Sequence, residues 1–284
     1  MPARIGLLLF VIASIGLAGC GEDWRIEPCV GESDETCRVD TLTVDGRERS
    51  YVVSRRHGYD CSGGEVPLVL MWHGSGGNGA SFRANMNDDF DALDFEATVG
   101  ANALVVYPDG LPHWDCWRRT CWDRDPEGYD LAFFDALVPR LAEEFCVDTS
   151  RVFSLGHSRG GRFVEVLACH RSEAHRAVAS IAAGVGNVED CPGRVPIWLS
   201  HGQDDGTIAF SEGESHREHW AERNGCDPVI DPGGFVVDAC AELRGCDEGL
   251  PVVWCPTTGA DWDGHAPPAL ADEAIWAFFS RISR

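Results

Sequence analysis

The sequence predicts an α/β fold with a mostly parallel central sheet covered on both faces by helices. Three observations predict it. Short apolar or alternating runs take turns with helical periods from residue 39 to the end. The chain has 284 residues, 44% of them hydrophobic, which suits one large domain with a sizeable core. No internal repeat or low-complexity block interrupts it.

The elements follow in order. Arg4 precedes the apolar run 6-GLLLFVIASIGLA-18, which has the length of a signal h-region and is short for a membrane span. It ends in 17-LAGC-20, which resembles a bacterial lipobox. In such signals the cysteine, here Cys20, is lipidated and becomes the mature N-terminus. Gly21 follows rather than Asp, which favours the outer membrane where a cell has two. Residues 1–19 are therefore expected to be a lipoprotein signal peptide and 20–38 an acidic tether. Residues 39–284 are expected to form a single catalytic domain. A lipobox makes the membrane a partner through the lipid anchor, with simple secretion as the alternative.

The runs 39–44 and 51–55, joined by 45-DGRER-49, read as an antiparallel start. Runs 67–72, 103–108, 151–155, 177–183, 195–200 and 251–255 read as further strands. Helical periods fit 80–99, 129–145, 159–171, 211–223 and 269–282. Over 129–145, Leu131, Phe134, Leu137, Val138 and Leu141 fall on one stripe. Asp130 is expected as the N-cap or a first-turn residue of that helix. Strands alternating with helices imply a parallel sheet buried on both faces.

The formal net charge is −23, which makes nucleic acid and anionic membrane surfaces poor partners. The chain has 13 Cys, and setting Cys20 aside leaves an even dozen. In an exported chain these read as up to six disulfides. The spacings Cys29/Cys37, Cys116/Cys121 and Cys240/Cys246 lack the C-x-x-C pairs of structural zinc and suit local bridges. Cys226 and Cys255 would tie down the C-terminal loops. His216 and His219 fall on a polar helical face and read as solvated rather than metal-binding.

The chemistry centres on 152-VFSLGHSRGGRF-163. An apolar strand ends in Ser158, boxed by Gly156 and Gly160, and a helical pattern begins at once. A G-x-S-x-G turn of this kind forces the serine into a strained backbone with its Oγ above the sheet. A nucleophilic serine needs a base, and the base needs an acid. The strand 195–200 runs into 201-HGQDDG-206, which offers Asp204 or Asp205 in a glycine-flanked turn. Of the later histidines, His265 sits in 258-TGADWDGHAPP-268, a loop after strand 251–255, where a base belongs. The stretch 70-LMWHGSGGNGAS-81 offers backbone N–H groups for an oxyanion, with Ser75 as the candidate beside the N–H of Arg159. It lacks the lysine of a phosphate loop. His73 reads as a structural residue rather than a base.

The ordered set 73-HGSGG-77, 156-GHSRGG-161, 201-HGQDD-205 and 264-GHAPP-268 resembles the exported polyhydroxybutyrate depolymerase and feruloyl esterase branch of the α/β-hydrolases. The resemblance covers roughly residues 40–284. It implies an α/β-hydrolase fold and a serine esterase working through an acyl-enzyme on an ester substrate, small or polymeric, with no metal or organic cofactor. The acid of the family's H-G-x-x-D pattern falls on Asp205 and the base on His265, giving Ser158, Asp205 and His265 as the catalytic residues. Two departures stand out. Ala266, Pro267 and Pro268 follow the histidine where many relatives carry an aromatic residue. Arg159 follows the nucleophile where relatives often have a small or amide residue.

Aromatic residues crowd 112-PHWDCWRRTCWDRDPEGYD-130. Trp114, Trp117 and Trp122 around Cys116 and Cys121 read either as a stapled, substrate-binding lid or as a satellite core. The rivals to the esterase reading are a serine peptidase and a surface-displayed binding protein on a vestigial hydrolase fold. The unbroken order Ser158, Asp205, His265 argues for catalysis.

Overall fold

Asp45 and Gly46 both adopt positive φ, 51° and 74°, and the turn they make joins the first two strands. These are β1 (Cys37–Val44) and β2 (Arg47–Ser54), antiparallel, with Val44 opposite Arg47. Asp-Gly is the pair such a two-residue hairpin selects. The computed structural model describes residues 29, 36–55, 61–89, 93–185, 191–227 and 240–282. The signal segment at 1–19, Cys20 and nearly all of the expected tether lie outside the described residues.

β3 (Val66–Trp72) leads through a glycine-rich loop to α1 (Gly79–Ala84), then to α2 (Phe95–Val99) and β4 (Leu104–Pro108). The single helical period expected over 80–99 is broken. A π turn spans Asn85–Asp89, and Asp94 starts α2 afresh by accepting from the Ala97 N–H at 2.8 Å. Asparagine and aspartate crowd this stretch, and both favour caps over helix interiors.

A small hairpin follows, β5 (Leu111–Pro112) with β6 (Thr120–Cys121). Then come α3 (Tyr129–Glu144), β7 (Val147–His157), α4 (Arg159–His170), β8 (Ala177–Ile181) and β9 (Ile197–Gly202). The chain closes with α5 (Phe210–Arg223), β10 (Ala241–Glu242), β11 (Val252–Thr257) and α6 (Ala271–Ile282). The main sheet has nine strands in the order β1-β2-β4-β3-β7-β8-β9-β11-β10. The six from β4 to β11 are parallel, and the edges are antiparallel. This is the α/β-hydrolase fold.

Strand residues alternate between two cores, as the period of two requires. Leu68, Leu70 and Trp72 face the side covered by α3, α4 and α5, with Leu137, Phe163 and Trp220. Val69 and Met71 face the side covered by α1, α2 and α6, with Phe82, Phe95 and Phe278. Both faces are therefore dry, and the strands read as apolar runs. Asp130 lies in the first turn of α3, buried, and pairs with Arg49 of β2 at 2.5 Å. Burial pushes its carboxyl up to about 6 despite that partner.

Six disulfides join Cys29–Cys37, Cys61–Cys146, Cys116–Cys121, Cys169–Cys191, Cys226–Cys246 and Cys240–Cys255. All twelve cysteines among the described residues are bridged. Such a chain folds in an oxidising compartment. The expected local pair Cys240/Cys246 does not form. β10 pairs with β11 and sets Cys240 against Cys255, while Cys246 meets Cys226 just beyond the end of α5. The solvated reading of His216 also fails. The ring is buried on α5 and pairs with the buried Glu165 of α4. Among the described residues, no helix is long and apolar enough to cross a membrane.

Candidate active site

The corner between β7 and α4 explains the two glycines around Ser158. Ser158 sits at φ 55° and ψ −117°, a conformation that costs a non-glycine residue on the order of 1–3 kcal/mol. The turn is held by the Ser158 N–H donating to Ile181 O at 2.8 Å and the Arg162 N–H donating to Ser158 O at 3.1 Å. A Cβ on Gly156 would collide with Gly160 O, and one on Gly160 would collide with Trp72 O. Any side chain at either position would push α4 off the sheet.

Above this corner stand the ends of β9 and β11. Asp205 follows β9 in a tight turn, with its Oδ1 accepting from the Thr207 and Ile208 N–H groups, both at 2.8 Å. Its Oδ2 lies 2.8 Å from His265 Nδ1. His265 Nε2 lies 2.9 Å from Ser158 Oγ. The carboxylate requires Nδ1 to carry the proton, which leaves Nε2 to accept from the serine. Asp204, the alternative acid, points elsewhere and accepts from the Gly259 N–H at 3.1 Å.

The loop after β3 forms the facing wall. The N–H of Gly76 donates to Thr120 O at 2.7 Å, and that of Gly77 to Gly74 O at 3.2 Å. The Asn78 N–H donates to Ser81 Oγ. Ser75 spends its N–H on none of these bonds and lines the cleft. His73 lies behind the loop. Its Nδ1 donates to Gly74 O at 2.7 Å, and its Nε2 accepts from the Gly110 N–H at 2.9 Å. Burial holds this imidazole down at about 4, so it is a neutral structural strut. The cleft holds about 300 Å³ and is bordered by Phe82, His157, Thr207 and Trp262 as well as Ser158 and His265. That is the small end of the range for ligand sites.

No family model matches the chain. Feruloyl esterase D of Neurospora crassa is 27% identical over 300 residues, spanning 98% of this chain and 96% of the relative. Feruloyl esterase C of Emericella nidulans is 31% identical over 272 residues, spanning 89% of this chain and 93% of the relative. The chain belongs to the feruloyl esterase family. It is a carboxylic ester hydrolase of that type. The solved acetyl xylan esterase from Aspergillus awamori shares the fold, with a TM-score of 0.64 at 16% identity, over 85% of this chain and 98% of that one.

In this feruloyl esterase family chain the three tryptophans of the insertion separate. Trp122 is not a substrate-facing residue. It is fully buried, edge-on to Trp72 at 4.9 Å and stacked on Phe163 at 5.3 Å, with its Nε1 donating to His73 O at 2.8 Å. A buried indole needs such a partner for its N–H, and the His73 carbonyl at the start of the glycine-rich loop supplies it. Trp114 and Trp117 are 77% and 87% exposed on the hairpin tip. The tip is tied to the residue after Ser158, because Arg159 pairs with Asp115.

Sequence reasoning missed several residues that border the cleft, Thr207 beyond β9 among them. His157 precedes Ser158 and donates from Nε2 to His265 O at 2.7 Å. Trp262 and Phe82 supply aromatic walls from distant loops. His157 was visible in G-H-S-x-G, but only the fold reveals what its ring meets.

Proposed function

We propose that this chain cleaves carboxylic esters carried on plant-type glycans, with hydroxycinnamoyl esters as the preferred substrates. Ser158 is the nucleophile, His265 the general base and acid, and Asp205 the orienting carboxylate. The observation that carries the reading is the unbroken line Asp205 Oδ2, His265 Nδ1, His265 Nε2, Ser158 Oγ at 2.8 and 2.9 Å. His265 Nε2 takes the hydroxyl proton as Oγ attacks the ester carbonyl. The N–H groups of Ser75 and Arg159 receive the oxyanion. The imidazolium then gives its proton to the departing alcohol oxygen. Water, deprotonated by the same nitrogen, releases the acid from Ser158. Asp205 holds the Nδ1–H tautomer and stabilises the imidazolium. The aromatic faces of Phe82 and Trp262 suit a phenylpropenoid acyl group.

The test is a substrate panel of methyl ferulate, acetylated xylan, p-nitrophenyl esters of graded length and short hydroxybutyrate oligomers, with a fluorophosphonate probe beside it. Methyl ferulate as the best substrate, with labelling lost in Ser158→Ala, supports the reading. Preference for the oligomers moves the chain to the polyester side of its resemblance. A native protein that neither labels nor cleaves is a binding module.

The same reading places the chain outside the cytoplasm, lipidated at Cys20 and tethered by its acidic segment, with 39–284 as the catalytic domain. The support is the sequence 17-LAGC-20 behind an apolar run. Two or more acyl chains give stable attachment, so native protein is expected in the membrane fraction, resistant to high salt and released by detergent. Soluble native protein with an unmodified N-terminus would make the cysteine accidental.

A further inference from the structure

All 23 basic residues of this chain are arginine, set against 46 acidic ones. Arg49, Arg83, Arg151 and Arg171, for example, are each paired with a carboxylate. Others, among them Arg47, Arg162, Arg223 and Arg244, have no ion-pair partner among the described residues, and the tip of the β5–β6 hairpin carries two more of this kind side by side. Asp115 there is held below the usual carboxylate range by Arg159 first and by Arg124 second. With Asp115 so engaged, Arg118 and Arg119 stand exposed with no ion-pair partner among the described residues. They lie directly beside Trp117, and Trp114 is one turn away.

The tip is also held rigid. Trp117 and Arg118 both have positive φ, 49° and 63°, which costs each of them energy that the surroundings must offset. The Cys116–Cys121 disulfide closes the loop, and the Arg118 and Arg119 N–H groups donate to His113 O and Cys116 O at 2.9 and 2.8 Å. The hairpin is fastened to the cleft wall as well. Thr120 accepts from the Gly76 N–H through its carbonyl and donates from Oγ1 to Gly77 O at 2.6 Å. The stem of Arg119 runs along Gly76, where a Cβ would touch its Cδ at 3.5 Å. Two indoles and two guanidinium groups are thus presented to solvent on the rim of the cleft.

We propose that this hairpin is a binding platform for the glycan portion of the ester substrate, and that the glycan carries carboxylates. Trp114 and Trp117 stack on sugar faces, and Arg118 and Arg119 pair with uronate groups. The proposal rests on the ester-hydrolase reading above and adds the class of polymer. Guanidinium forks match carboxylates two bonds at a time. A dense polyanion such as nucleic acid is disfavoured by the field of a chain at −23, whereas isolated carboxylates meet only the local charge. A protein partner needs about 800 Å² of surface on each side, more than the tip of so short a hairpin offers.

The test uses two matched feruloylated oligosaccharides, one bearing uronate groups and the other the same compound with its carboxyls reduced to alcohols. Native protein is expected to show a KM for the acidic compound about tenfold lower than for the reduced one, with similar kcat. Arg118→Gln with Arg119→Gln should abolish that difference, read between the two oligosaccharides in the same variant so that any change in the cleft wall cancels. Trp114→Ala with Trp117→Ala should raise KM for both oligosaccharides. Titration calorimetry of Ser158→Ala protein with the unferuloylated acidic and reduced oligosaccharides reads the same preference without turnover. Equal KM and equal binding for the two compounds, in a protein that cleaves methyl ferulate, overturns the platform alone. A sulfated oligosaccharide bound as tightly as the uronate overturns the carboxylate assignment. Absence of any esterase activity, with the calorimetric preference intact, overturns the catalytic reading instead.

Discussion

His157 Nε2 donates a hydrogen bond to the backbone carbonyl of His265 at 2.7 Å, so the residue before Ser158 holds the loop that carries His265. Burial keeps the His157 imidazole neutral, down at about 4, with the neighbouring His265 as a lesser cause. The bond is therefore a permanent strut at neutral pH. His157→Leu is expected to lower kcat on p-nitrophenyl acetate about tenfold, the worth of one buried hydrogen bond expressed as rate. His157→Gln, which keeps a donor, should recover much of it. Equal kcat in both variants and the native protein would remove the strut from catalysis.

The acid assignment is tested by a pair of isosteric changes. Ser158→Ala and His265→Ala should each cost on the order of 10³-fold or more in kcat, and Asp205→Asn somewhat less. Asp204→Asn should leave kcat within a few-fold, because Asp204 binds a backbone N–H rather than the imidazole. A crippling Asp204→Asn beside a mild Asp205→Asn would reverse the two.

Buried histidines limit stability toward acid pH. Burial pushes His73, His157 and His175 each down to about 4 from 6.5. Between these values the unfolded chain binds protons that the folded chain refuses, so stability present above pH 6.5 is lost as pH falls toward 4. Asp130 acts in the opposite sense. Its folded pKa of about 6 lies above 3.8, so acidification relieves a cost there. Three protons against one leaves a net loss toward acid pH, and His201 and His219, also lowered by burial, add to it in the same direction. Urea unfolding at pH 7, 6 and 5 with disulfides intact measures it. His175→Gln, at a site outside the cleft, should reduce the slope by about one proton.

The disulfides differ in worth by the loops they close. Cys61–Cys146 has a sequence separation of 85 and Cys116–Cys121 one of 5. The chain-entropy account assigns about 4–5 kcal/mol to the first and about 2 kcal/mol to the second. Paired Cys→Ala variants, unfolded in urea, should reproduce that order. Denatured, unreduced protein lacking residues 1–20 should titrate with almost no free thiol.

The separated tryptophans give opposite stability outcomes. Trp122→Ala removes a fully buried indole and its hydrogen bond and should cost about 3–5 kcal/mol. Trp114→Ala and Trp117→Ala should each stay within about 0.5 kcal/mol, since both rings lie in solvent. Thermal unfolding of the three variants decides it.

The sequence by itself determined what depends on neighbours along the chain. The eight principal strands, the helices α3 to α6 and the strand-turn-helix at Ser158 all announce themselves through period and glycine placement. Strand ends, which are local signals, offered Ser158, either Asp204 or Asp205, and His265 as candidates, and the family resemblance chose Asp205. Only the tertiary structure decided which residues meet across the sheet. It sent Trp122 inward and left Trp114 and Trp117 outside, although all three sit within nine residues, because a core is chosen by what packs above it and not by composition. It paired Cys246 with Cys226 and Cys240 with Cys255, because β10 has to lie beside β11. It buried His216 against Glu165 and aimed His157 at the carbonyl of His265, more than a hundred residues away. Contacts at that separation are set by the packing of whole elements, and no local pattern in the chain encodes them.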